Sequence, residues 1–64
     1  MYWLTKGEIK KLQVIADYGQ AEAPRILGIS ARTLAATLRM IRYKLRAKNT
    51  THAVCLAWNR GWIR

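Results

Sequence analysis

Residues 30–46, SARTLAATLRMIRYKLR, carry the pattern around which the rest of the chain is arranged. Stepping by about 100° per residue brings Leu34, Leu38, Ile41 and Leu45 into one narrow apolar stripe and gathers Arg32, Ala35, Arg39, Arg42 and Arg46 roughly opposite it. One face packs and the other is cationic. Arg32, Arg39 and Arg46 recur at heptad spacing and stack nearly in line, with the small Ala35 and Ala36 between the first two. A ridge of that layout fits a DNA major groove, but charges on an amphipathic helix usually form no more than a solvated face. The flanking residues decide between the two.

Just upstream, residues 21–27 predict a short helix with Ala23, Ile26 and Leu27 inward. Pro24 bounds its start, because proline is tolerated only in a first turn, where its missing N–H has no partner to lose. Gly28 follows at the position where a residue with positive φ reverses the chain, and Ile29 drops back to the core. Ser30 then caps the long helix. Short helix, glycine-containing turn and Ser-capped longer helix make the layout of a helix-turn-helix unit.

Further out, Thr5 and Glu8 form a capping box, with Leu4 and Ile9 as a hydrophobic staple, which predicts a first helix over 5–18. Ile9, Leu12, Ile15 and Ala16 mark its buried face and Gly19 its end. Before it, Met1, Tyr2 and Trp3 either pack on the domain or hang loose. After Arg46 the segment 47–51 is polar, and Thr50 or Thr51 can cap a last helix over 51–60, with Val54, Ala57 and Trp58 toward the core and Gly61 as its stop. Trp62 and Ile63 close over the bottom. No strand-like alternation interrupts this all-α, four-helix reading of a single domain.

Composition narrows the partners. Sixty-four residues give one small core and a marginal fold, since a chain of this size buries only about 60% of its unfolded surface. Twelve Lys and Arg against three Asp and Glu leave a net charge of +9, which points to a polyanion, nucleic acid before an anionic membrane. Six of those cations lie between Arg32 and Lys48 with no acid among them, while Glu8, Asp17 and Glu22 all precede that stretch. One cysteine and one histidine give neither an intrachain disulfide nor a zinc ligand set, so a reduced, cytoplasmic setting without metal or cofactor is expected. No apolar run approaches the ~20 residues that span a bilayer. Three scattered acids and no phosphate-binding glycine loop make an enzyme unexpected.

The ordered set Leu27-Gly28-Ile29-Ser30, Thr33-Leu34, Ile41, Lys44-Leu45, Asn49-Thr50-Thr51, Ala53-Val54, Ala57 and Gly61-Trp62-Ile63, preceded by Leu4-Thr5, Glu8, Leu12, Ala16 and Gly19, resembles the LuxR/GerE-type helix-turn-helix domain of bacterial transcription regulators. The resemblance covers about sixty of the 64 residues. It implies a four-helix domain that lays its third helix in the major groove and forms a homodimer through its fourth. The positions that touch bases in such domains fall on Ala35, Ala36 and Arg39, with Arg32, Thr33, Thr37, Lys44 and the turn Lys48, Asn49, Thr50 and Thr51 near phosphates. This chain departs from the family pattern at Thr37, where a histidine is common, in its proline-containing second helix, and at Ala35.

Chemistry sharpens those roles. Arg39 is the strongest candidate for a base contact, because arginine to guanine O6 and N7 is the commonest specific major-groove contact. Ala35 and Ala36 either touch thymine methyls or are simply good helix formers. Arg32, Arg42, Lys44 and Lys48 are expected on phosphates, which fix register without reading sequence. Arg46 is expected beyond reach of DNA, complementing the helix dipole. On the fourth helix His52, Cys55, Leu56 and Asn59 form a second face, read as the dimer contact. The expected function is a sequence-specific double-stranded DNA-binding transcription regulator acting as a dimer on a palindromic site. The alternative is a small protein-interaction module, sigma-region-4-like, that acts on RNA polymerase or another regulator.

Overall fold

A computed structural model describes residues 3–64. Met1 and Tyr2, whose packing the sequence leaves open, lie outside the described residues. The chain forms α1 (Lys6–Tyr18), α2 (Ala23–Leu27), α3 (Ala31–Leu45) and α4 (Thr50–Asn59), with no strand among the described residues. None of these helices is long and apolar enough to cross a membrane.

Local chemistry sets most of the boundaries. Thr5 and Glu8 satisfy each other's backbone: the Glu8 N–H donates to Thr5 Oγ1 at 3.1 Å and the Thr5 N–H donates to Glu8 Oε1 at 2.8 Å. Ser30 caps α3 by accepting from the Thr33 N–H at 3.0 Å. At the end of α2, Gly28 takes φ 71° and ψ 31°, and the Ile29 N–H reaches back to the Pro24 carbonyl at 3.0 Å. Those bonds consume orphan carbonyls of a one-turn helix and aim the chain into α3.

The start of α4 differs from expectation. Asn49, not Thr50 or Thr51, is the cap: its Oδ1 accepts from the His52 N–H at 2.8 Å, while His52 Nδ1 accepts from the Lys48 N–H at 3.0 Å. The imidazole thus resembles the glutamate of a capping box but takes the N–H of Lys48, one residue before the Asn49 cap, in place of the cap's own. A second difference ends α3. Arg46 sits in the left-handed region at φ 56°, where a non-glycine residue costs roughly 1–2 kcal/mol.

Helix α1 packs on α2 and α4, and α4 also packs on α3. The core is Leu4, Leu12, Val14, Ile15, Ala23, Leu34, Leu38, Ile41, Leu45, Ala53, Ala57 and Ile63. The apolar stripe of α3 is buried as its periodicity requires. On α4 the inward face is Ala53 and Ala57, both fully buried, whereas Trp58 is 58% exposed and Val54 only half-buried. A helix wedged between two others approaches both most closely through its smallest side chains, and an indole at that contact would hold them apart.

Two smaller corrections follow from the same packing. On α1, covered from two sides, the buried arc is wide enough to take in Val14, while Ala16 is exposed at the rim of a cleft of about 260 Å³ shared with Thr50, Thr51 and Val54. On α2 only Ala23 is fully covered; Leu27 is half-buried and Ile26 is exposed, because one turn of helix presents a single narrow face. The C-terminal segment is tied across α1 by Gln13, whose amide donates to the Arg64 carbonyl at 2.7 Å and accepts from the Arg64 N–H at 2.8 Å. Ile63 is thereby held in the core. Trp62 lies beside it, in tilted contact with Trp3 at 6.3 Å between ring centroids and with the Arg60 guanidinium 5.1 Å above its ring.

Candidate nucleic-acid interface

Burial of Leu34, Leu38, Ile41 and Leu45 fixes which way α3 faces, and so fixes its outer surface. Arg32, Thr33, Ala35, Ala36 and Arg39 are exposed, Arg42 is half-buried, and Lys48 is exposed on the connection that follows. The residues directly opposite the apolar stripe are not the arginines alone. Stepping about 100° per residue from Leu38 puts Ala36 and Tyr43 outermost, with the arginines on one flank and Met40 on the other. Tyr43 is 71% exposed and Met40 53%. Sequence reasoning placed the arginine ridge opposite the stripe, read Tyr43 as either a phosphate hydrogen-bonder or an exposed surface tyrosine, and passed over Met40, although the same angular count could have found it.

Two shallow concavities divide this surface. One, of about 470 Å³, is lined by Ala36, Arg39, Met40 and Tyr43 and is largely apolar. The other, of about 560 Å³, is lined by Arg39, Arg42, Tyr43, Arg46, Ala47 and Lys48. Arg39 and Tyr43 belong to both. Arg46, expected beyond reach of DNA, lines the same concavity as Arg39, Arg42 and Lys48.

Several expected members are engaged elsewhere. Lys44 does not face outward: its ammonium donates to Glu8 Oε1 at 2.9 Å and Oε2 at 3.0 Å, with only 22% of the lysine and 12% of the glutamate side chain exposed. It joins α3 to α1 instead of standing toward a ligand. Thr37 is half-buried and donates its hydroxyl to the Thr33 carbonyl at 3.1 Å, one turn back on its own helix. The Thr33 hydroxyl accepts from Ser30 Oγ at 2.9 Å. Asn49 is occupied as the α4 cap, and Thr50 and Thr51 line the separate cleft beside the end of α1. Of the fourth-helix face, His52 is half-buried in the cap, Leu56 is half-buried against the core, and Cys55 and Asn59 are exposed. Val54, Cys55, Trp58 and Asn59 line a groove of about 300 Å³ there.

No family model, curated protein or solved structure matches this chain. What the surface can do is therefore read from its own residues.

Its electrostatics are one-signed because of where the three carboxylates sit. Glu8 neutralises Lys44, Glu22 pairs with Arg25 on the exposed start of α2, and Asp17 accepts from the Gln13 amide at 3.1 Å on α1. None lines either concavity of α3. Burial works to raise the pKa of the Glu8 carboxyl. The opposing pull of the Thr5 N–H, then of the Lys44 hydrogen bonds and charge, is greater, and the group titrates below the ordinary carboxylate range. Glu8 thus remains charged and paired at neutral pH. Among the described residues, no group of His, Cys, Asp and Glu is arranged to hold a metal ion.

Proposed function

We propose that this chain is a sequence-specific duplex-DNA-binding protein of the LuxR/GerE helix-turn-helix type, acting in transcription regulation, with α3 as its recognition helix. The observation that carries the reading is the outer surface of α3: arginines beside small and apolar side chains, on a helix whose other face is fully committed to the core, with no carboxylate alongside. A major groove needs this combination. Arg39, central and exposed, is suited to guanine O6 and N7, while Ala35, Ala36 and Met40 let the helix sit close and offer apolar contact to thymine methyls. Arg32, Arg42 and Lys48 supply the sequence-independent attraction to phosphates. Lys44 has no part in this, since Glu8 holds it.

The dimer belongs to the same proposal. Trp58, Cys55 and Asn59 share the exposed side of α4, and a second copy seated there would impose two-fold symmetry on the bound site. Exposure of that tryptophan also favours the second reading, in which α4 docks on RNA polymerase or another regulator.

Selection of bound duplexes from a random pool separates the readings. A recovered motif with palindromic symmetry is the expected result, and Arg39→Ala should cost about 1–3 kcal/mol at one base position while the helical signal is unchanged. A pool that stays unenriched, with Arg39→Ala indistinguishable from the parent, refutes the DNA reading.

A further inference from the structure

We infer that the cationic concavity at the C-terminal end of α3 is a seat for consecutive phosphates of one DNA strand, and that Arg46 is kept there against the conformational preference of the fold. The inference rests on the duplex-binding reading above and adds Arg46, which the sequence pattern assigned to no ligand, to the phosphate contacts of Arg42 and Lys48.

Two independent observations meet at Arg46. The first is backbone geometry. Among the described residues four have positive φ: Gly19, Gly28 and Gly61 at φ 92°, 71° and 75°, and Arg46 at φ 56°. The chain uses glycine at three of these positions and breaks the rule at one. Packing does not demand the exception, because Arg46 is exposed and the turn is closed by backbone groups alone: the Arg46 N–H donates to the Tyr43 carbonyl at 3.2 Å and the Ala47 N–H to the Arg42 carbonyl at 2.9 Å. Glycine would make the same bonds without strain.

The second observation is what surrounds the side chain. Arg39, Arg42, Arg46 and Lys48 line one concavity with Tyr43 and Ala47, and the three carboxylates of the chain are engaged on α1 and α2. A left-handed residue at the helix end turns the chain so that Lys48 comes round to the cations of the last two turns. A single small anion would leave most of these charges uncompensated. A nucleic-acid strand brings one phosphate for about every 3.4 Å of helix axis and meets several of them in succession.

The test is Arg46→Gly in the full chain, read by two measurements that should move in opposite directions. In urea titrations the variant's unfolding equilibrium constant should fall about fivefold, because the strain is gone. In binding titrations with a mixed-sequence 20-base-pair duplex at about 0.15 M salt, its affinity should fall about five- to tenfold. The log–log salt slope should become less negative by about 0.9 per protomer, the signature of one lost phosphate contact. Arg46→Lys keeps both strain and charge and should stay within about twofold of the parent in each measurement.

A parent that binds the duplex while Arg46→Gly binds equally well with an unchanged salt slope overturns the phosphate seat alone. A variant no more stable than the parent overturns the strain. A parent that does not bind the duplex removes the DNA reading and this inference together. A single strand of equal length held as tightly as the duplex overturns the assignment to duplex DNA.

Discussion

Replacing Glu8 by glutamine should destabilise the fold by about 2 kcal/mol at neutral pH and by almost nothing in acid. The carboxylate accepts three hydrogen bonds, from the Thr5 N–H at 2.8 Å and twice from the Lys44 ammonium at 2.9 and 3.0 Å. Hydrogen bonds to charged groups contribute about 1.5–3 kcal/mol, and removing one partner from a deeply buried pair costs about 3–5 kcal/mol. With 12% and 22% of the two side chains exposed, water screens part of this, which places the loss near the lower range. Glutamine keeps an oxygen for the Thr5 N–H, so the cap survives; Glu8→Ala removes it as well and should cost about 1 kcal/mol more. For a domain of this size about 2 kcal/mol lowers the Tm by roughly 8–16 °C. The pH dependence has a definite sign. Because the folded pKa of Glu8 is depressed, its contribution is full above the unfolded value near 4.3 and is lost as pH falls through the folded value. Urea titrations of parent and Glu8→Gln from pH 7 to pH 3 should therefore converge in acid, while Asp17 and Glu22, present in both, cancel in the difference. A gap that stays constant down to pH 3, or a loss below about 0.5 kcal/mol at pH 7, refutes the pair's role.

Two glycines should respond oppositely to alanine, as read by thermal denaturation. At Gly28 an added Cβ meets nothing within 4 Å, so the cost is backbone strain at φ 71°, about 1 kcal/mol or more; at Gly7, in the first turn of α1, the Cβ makes only ordinary contacts at 3.9 Å and should stabilise by about 0.4–1 kcal/mol. Asn49→Ala should cost about 1 kcal/mol, whereas Thr51→Ala at the position first expected to cap should cost a few tenths at most, a difference visible in urea midpoints. Gln13→Ala frees the C-terminal segment from α1, and hydrogen exchange should show the Arg64 amide losing its protection with little change in global stability.

The elements were legible where information is local. Thr5 with Glu8, Ser30, and Gly28 with its reversed φ are each specified within a few residues, and the α3 stripe repeats often enough to leave one possible buried face. Ambiguity entered where several neighbours carry equivalent chemistry. Asn49, Thr50 and Thr51 are all good caps, and the choice is made by the His52 ring turning back to the Lys48 N–H. In α4 the apolar residues surround the helix, so periodicity selects no face; the selection is made by how closely three helices can approach, which favours Ala53 and Ala57 over Trp58. Lys44 illustrates the long-range limit. Its neighbours in sequence mark it as one more basic residue of the ridge, and only the approach of α1 brings Glu8, 36 positions away, onto its ammonium.

Charge placement links the fold to its proposed partner. A net charge of +9 on 64 residues works against compactness by self-repulsion, and a core this small leaves little stability in reserve. The fold places two of its three carboxylates on cations, Glu8 on the part-buried Lys44 and Glu22 on Arg25, and the one with the least exposure joins two helices. The arginines of α3 receive no such relief. Their mutual repulsion and the strain at Arg46 fall on the same end of the same helix, so the unbound protein carries two avoidable costs in one place. Binding a polyanion there would offset the first directly, and at a ligand concentration of 100 Kd it would stabilise the folded state by about 2.7 kcal/mol. A surface needed only for solubility would gain nothing from an arginine in a conformation that favours glycine. The coincidence of strain and unshielded charge is what the proposed polyanion would account for and a merely solvated face would not.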